Sequence, residues 1–245
     1  MFPKTILQFL FVLFISIACC TPLIPIMMTN KKSQDLLMVI FFIWFLSVFI
    51  GIVHFINYKR KIKITYKIKP LNLPFLFYTI FIVWFAHIII VRPIIFIFHS
   101  ESIHSFPNMY YVLSSLVIAP ILEEIVFRNI LLNSLLNRYK RNKAIIVSSL
   151  IFGIFHGTPI LIINGILLGL FLGVIYSSEK NIAHTIILHF FANFFGLLSQ
   201  YYIIKFHNSS FFYVGIAINV LVSFFLLYYM HKKQGYSLLK IIKEK

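Results

Sequence analysis

The sequence predicts an all-α fold: a polytopic transmembrane helix bundle of about eight spans, forming one integral-membrane domain over residues 1–245. Three observations carry this expectation. The chain is 60% hydrophobic and only 11% charged, with a mean hydropathy of +0.94, which no soluble domain of ordinary composition approaches. The apolar residues gather into runs, most of them near the roughly 20 residues that a 30 Å hydrocarbon core requires. The basic residues sit in short clusters between those runs and alternate from side to side.

In order, the apolar runs are 5–28, 36–57, 71–91, 109–136, 144–156, 159–176, 182–204 and 211–230. The first is long for a signal peptide and reads as an anchor. Its adjacent Cys19 and Cys20 have no third cysteine to pair with and read as apolar filler. The loop carrying Lys59, Arg60, Lys61, Lys63, Lys67 and Lys69 is strongly basic. So are the loop with Arg138, Lys140, Arg141 and Lys143 and the tail with Lys232, Lys233, Lys240, Lys243 and Lys245. With Lys4 and Lys180 these fall on one side, against Lys31, Lys32, Arg92 and Lys205 on the other. The positive-inside rule then puts both termini in the cytoplasm. The net charge of +16 is therefore an orientation signal, and no nucleic-acid groove is expected.

Two runs depart from regular spans. The fifth, 144–156, gives about 20 Å of helix, too short to cross alone, so the following Gly157-Thr158-Pro159 turn is expected below the membrane surface and covered by protein. The fourth is long and contains Pro120, which predicts a tilt or kink. In the sixth, Gly165, Gly169 and Gly173 recur every four residues and predict a close-packing seam.

The fourth run also holds Glu123, Glu124 and Arg128, two of them among only six acids in the chain. Left bare in lipid, three such charges could cost on the order of 8–10 kcal/mol. A compensating buried polar site is the reading that accounts for them. Glu124 and Arg128, four apart, share a helix face, and Glu123 projects about 100° away. That pair can neutralise itself and leave Glu123 as the free carboxylate. His189 and Asn193 likewise share a face. At 1.5 Å per residue, Glu123, His156 and His189 lie at depths of about 20, 18 and 10 Å, close enough for tilt to bring them together. One carboxylate and two imidazoles are enough ligands for a catalytic zinc with an open position, though no His-Glu-x-x-His signature is present. His54 and His87 read as hydrogen-bonded core residues and His184 as interfacial. Ser114, Ser115, Ser148 and Ser149 read as packing hydroxyls, and Asn164 as a helix cap or a substrate contact.

The order Glu123-Glu124-x-x-x-Arg128, Phe152-x-x-x-His156, His189-x-x-x-Asn193 resembles the CPBP family, the CAAX-processing and bacteriocin-processing intramembrane endopeptidases also called Abi. The resemblance covers roughly 109–196. It implies a protease in which Glu123 activates a water with His156, Glu124 and Arg128 support it, and His189 and Asn193 stabilise the oxyanion or bind a metal. Zinc, on Glu123, His156 and His189, is the cofactor this leaves open, in metallo- and glutamic-type versions of the same hydrolysis. The chain then divides into N-terminal spans of unassigned role (1–108), a catalytic core (109–204), and a last span with a basic cytoplasmic tail (205–245). The expected partners are membrane lipid and a peptide or protein substrate such as a bacteriocin, pheromone or surface-protein precursor. A composition rich in Phe, Ile, Lys and Asn points to a bacterial plasma membrane. Two other functions compete: a non-enzymatic scaffold or bacteriocin self-immunity protein of the same fold, and a transporter with a midplane carboxylate.

Overall fold

The computed structural model describes residues 2–25, 34–91, 107–206 and scattered positions between 214 and 232, and it is helical without strands among them. In chain order the bundle is built from α1 (Ile6–Cys20), α2 (Gln34–Lys59), α3 (Leu73–Ala86, extended by a π-helical turn His87–Val91), α4 (Met109–Leu136), α5 (Arg141–Ile154), α6 (Pro159–Glu179) and α7 (Ile182–Phe206). Five of these, α2, α3 with its extension, α4, α6 and α7, are long and apolar enough to cross a membrane. The expected eighth run, Lys31, Lys32, Arg92 and most of the basic tail lie wholly or mostly outside the described residues.

Helix α1 is shorter than its apolar run. It stops after 15 residues, about 22 Å. Pro22 has no N–H and would clash with the preceding turn; the Thr21 hydroxyl and N–H instead both close on the Ala18 carbonyl. The buried positions Phe9, Val12, Leu13, Ser16 and Cys20 follow a helical stripe. They pack on Phe45, Leu46, Phe49 and Val53 of α2 and on Val126, Phe127 and Ile130 of α4. A second cluster joins Phe75, Leu76 and Val83 of α3 to Leu172 and Ile175 of α6 and to Leu188 and Phe195 of α7. The second half of α4, from Glu124 through Leu132, is thus largely buried in the bundle, which explains how it can hold charges.

The glycine seam forms as expected. A Cβ on Gly169 would lie 3.0 Å from the Cα of Ser149, and one on Gly173 3.0 Å from Ile145 Cγ2. From the other side, a Cβ on Gly153 would lie 2.7 Å from the Ile162 carbonyl. Helices α5 and α6 therefore meet backbone to backbone as a tight hairpin. Its turn uses Gly157 at φ +80°, a left-handed conformation that glycine adopts without strain. Helix α5 begins three residues earlier and ends two earlier than its apolar run, so His156 sits in the turn just beyond it. That turn is exposed among the described residues, contrary to the expected cover. It satisfies its own backbone: the N–H of His156 donates to Gly153, that of Gly157 to Ile154 and that of Thr158 to His156.

The basic segments meet at one end of the bundle. The Asn181 side chain pairs with the backbone of Lys69 in both directions, at 3.2 and 3.1 Å, and the N–H of Ile182 donates to the Lys67 carbonyl. Arg141 donates to Ser177 and Ser178 at the end of α6. His184, near the start of α7, is buried by protein: Glu179 Oε2 lies 2.5 Å from its Nδ1 and Thr79 Oγ1 3.0 Å from its Nε2. His87 and His54 are hydrogen-bonded as expected, to Ser199 and to Tyr66.

If the seam controls the hairpin, Gly169→Val should destabilise the protein by about 1–3 kcal/mol through overpacking against Ser149 and Phe152. Gly51→Ala, with nothing within 4 Å, should be neutral or slightly stabilising. Thermal unfolding of the two detergent-solubilised variants checks this; equal midpoints would reject the seam as a determinant of stability.

Candidate active site

Helix α4 is not a regular α-helix. The turn Ala119–Glu124 is α-helical, but π-helical segments flank it at Ser114–Ile118 and Ile125–Leu132. The expected irregularity near Pro120 therefore takes the form of widened turns, a feature often found at functional sites. These turns leave backbone carbonyls that neighbouring helices can reach. Ser148 of α5 donates to the Phe127 carbonyl at 3.3 Å, and Asn193 of α7 donates to the Ser115 carbonyl at 2.7 Å. Ser149 and Ser115 donate back to carbonyls of their own helices, at Ile145 and Val112.

Glu124 is fully buried. Its Oε2 lies 3.2 Å from Arg128 Nε and its Oε1 2.9 Å from His189 Nδ1. The Arg128 contact has ion-pair distance without hydrogen-bond alignment, and both Nη groups lack a hydrogen-bond partner. The guanidinium instead stacks over the Phe152 ring, 4.4 Å from its centroid. A carboxylate facing His189 Nδ1 requires Nδ1 to be the donor, so Nε2 faces the other way. There it lies 3.7 Å from Glu123 Oε2, an oxygen with no hydrogen-bond partner. The Glu123 side chain keeps 12% of its surface accessible, while Glu124 keeps none. The division expected from spacing, one neutralised carboxylate and one free, is present in the geometry.

His156 reaches the site from the end of α5. Its Nδ1 donates to the Phe152 carbonyl at 2.9 Å, leaving Nε2 as the free nitrogen. The ring lies against α6 where a Cβ on Gly165 would be 2.9 Å from Nδ1, so the glycine seam also makes room for the imidazole. Phe152 joins these parts. Its ring centroid is 4.8 Å from that of His156, 5.8 Å from that of His189 and 5.0 Å from that of Phe127. In the sequence Phe152 is only the start of a motif, and its spacing four before His156 is the one signal that places the two rings together. Tyr176 and Asn129 form a neighbouring buried bond at 3.2 Å that spacing did not reveal. Asn164, next to Gly165, has a buried Oδ1 with no hydrogen-bond partner.

A cation held by Glu123, His156 and His189 needs three donors closing on one point. Among the described residues no group of three His, Cys, Asp or Glu side chains does so. His189 Nδ1 is committed to Glu124 and His156 Nδ1 to a backbone carbonyl, which leaves their Nε2 atoms and the Glu123 carboxylate as the groups that would face a metal.

Residues 105–195 match the family model for Rce1-like proteins, the type II CAAX prenyl endopeptidases. No curated protein and no solved structure matches the chain. The matched stretch holds all three motifs and every residue of the cluster just described. Across it the chain carries the sequence pattern of the CAAX-protease family, in agreement with the resemblance to CPBP proteins. The match supports a CAAX-type intramembrane endopeptidase, a membrane protein acting on a peptide or protein.

Removing Glu124 would leave Arg128 buried without a counter-charge. Glu124→Ala should therefore cost about 3–5 kcal/mol of stability. Glu123→Gln removes no comparable pair and should stay within about 1 kcal/mol of the parent. Denaturation midpoints of the two purified variants would decide; similar losses would show that the two carboxylates are not divided in role.

Proposed function

We propose that the protein is a glutamic-type intramembrane endopeptidase that hydrolyses a peptide bond of a membrane-associated peptide or protein. The observation that carries this reading is Oε2 of Glu123, without a hydrogen-bond partner and set 3.7 Å from His189 Nε2, while Glu124 faces Arg128 and Nδ1 of the same imidazole. Amide hydrolysis needs a base for water, charge stabilisation for the oxyanion and an acid for the leaving amine.

Glu123 is the base. It takes one proton from a water whose second hydrogen is accepted by Nε2 of His156, which aims the oxygen lone pair at the carbonyl. His189, held at Nδ1 by the Glu124 carboxylate, stabilises the forming oxyanion from its Nε2 side. Glu123 then returns its proton to the amine as the C–N bond breaks. Arg128 balances Glu124, and Phe152 walls the imidazoles from bulk water. Asn193 adjoins His189 on the same face, and its second amide hydrogen is available to the oxyanion. Zinc on Glu123, His156 and His189 remains the metallo-type alternative, and no step here runs through it.

The charge asymmetry supports cytoplasmic termini, since Lys67, Lys69, Lys180 and Arg141 gather at one end of the bundle. Composition supports a bacterial plasma membrane, where peptide precursors such as bacteriocins, pheromones or surface proteins are the substrate class.

The test uses purified protein in nanodiscs with a panel of membrane-anchored peptides, including a prenylated CAAX peptide, and reads cleavage by mass spectrometry. Glu123→Gln and His156→Ala should insert normally and lose roughly 10²–10⁴-fold in kcat. Full activity in either variant would falsify the mechanism. Loss of parent activity on chelation, restored by zinc, would replace it with the metallo-type version.

A further inference from the structure

Asn193 is the residue of the third motif whose geometry asks for a different explanation. Its Nδ2 donates to the backbone carbonyl of Ser115, 78 residues away, at 2.7 Å. A carbonyl inside a helix normally has a donor of its own. In the Ser114–Ile118 segment the bonds run five residues back, and the N–H of Ala119 closes on the Ser114 carbonyl. In that register the donor due to Ser115 is the nitrogen of residue 120. Residue 120 is proline and has no hydrogen to give. The carbonyl is left over inside the bundle, where an unmet acceptor is costly.

We infer that Asn193 is a positioning residue that fills the carbonyl Pro120 leaves without a donor, and so holds Glu123 in register with His189. Its effect on rate rests on reading Glu123 as the reactive carboxylate; the hydrogen bond itself does not. Two hydrogen bonds join α4 to α7 among the described residues: His189 to Glu124 and Asn193 to Ser115. A single contact allows the helices to pivot about it. Two, a turn apart on α7 and straddling Pro120 on α4, fix both rotation and sliding. Glu123 lies three residues beyond Pro120, within the clamped stretch. The π-helical turn, the proline and the asparagine form one device, in which none is useful without the others.

A double-mutant cycle tests it, using the full chain in detergent and the Glu123→Gln background so that catalysis plays no part. Asn193→Ala should lower the melting midpoint by roughly 2–6 °C. Pro120→Ala restores an N–H for Ser115, so in its presence the same substitution should cost less than half as much. Additive losses, or no loss from Asn193→Ala, would overturn the inference. Asn193→Asp, nearly isosteric but without the donor at pH 8, should lose at least as much as Asn193→Ala even if Pro120→Ala fails to fold; a parental midpoint would also overturn it. In the active background Asn193→Ala should lower kcat with KM unchanged, and Pro120→Ala should recover at least threefold of that loss. Recovery is the outcome that a role confined to the oxyanion does not produce. If no variant or parent cleaves any peptide, the proteolytic reading fails while the melting cycle still reports on the clamp.

Discussion

Glu124 is the constraint on which the rest of the structure depends. It has no solvent exposure, and its two oxygens face Arg128 and His189 from opposite sides. In a low-dielectric interior neither a bare carboxylate nor a bare guanidinium is tolerable. The helix that carries Glu124 must therefore be surrounded by protein, and the helix that carries His189 must dock on it in one orientation. The contact settles both problems. It also fixes which nitrogen of His189 faces Glu123, because a carboxylate can only accept.

The surrounding fold serves this arrangement. The glycine seam lets α5 and α6 approach at backbone distance, which places Phe152 over Arg128 and leaves a recess beside Gly165 for His156. One apolar cluster joins α1 and α2 to the buried second half of the charged helix, and another joins α3 to α6 and α7. The widened turns in α4 offer carbonyls to Ser148 and Asn193, so that hydrogen bonds from two neighbouring helices hold the glutamates at both ends. Since lipid supplies no hydrogen bonds, each irregular turn at membrane depth needs a partner from the protein.

Much of this was legible in the residues. Glu123, Glu124 and Arg128 stood out because charge is scarce and costly in an apolar run, and their spacing separated the paired carboxylate from the free one. Glycines four apart announced the seam. The family pattern tied His156, His189 and Asn193 to the same place. Other features were hidden for physical reasons. Pro22 shortens α1 although hydropathy continues through it, because the lost hydrogen bond and the steric clash are local while hydropathy is an average. His184 stands near the start of its run, and the partners that bury it, Thr79 and Glu179, arrive from two other helices. The Gly157 turn closes with its own backbone hydrogen bonds, which hydropathy does not register.

By itself the sequence determined the helical class, the one-sided distribution of charge, the shared face of Glu124 and Arg128 and the family pattern. All are set by local periodicity or by the cost of placing a residue in lipid. Only the tertiary structure decided that Glu124 takes Nδ1 of His189 while Glu123 faces its Nε2, that Phe152 stacks on Arg128, and that Asn193 answers a carbonyl released by Pro120. Those outcomes depend on the rotation of one helix against another, and no spacing within a single helix contains that angle.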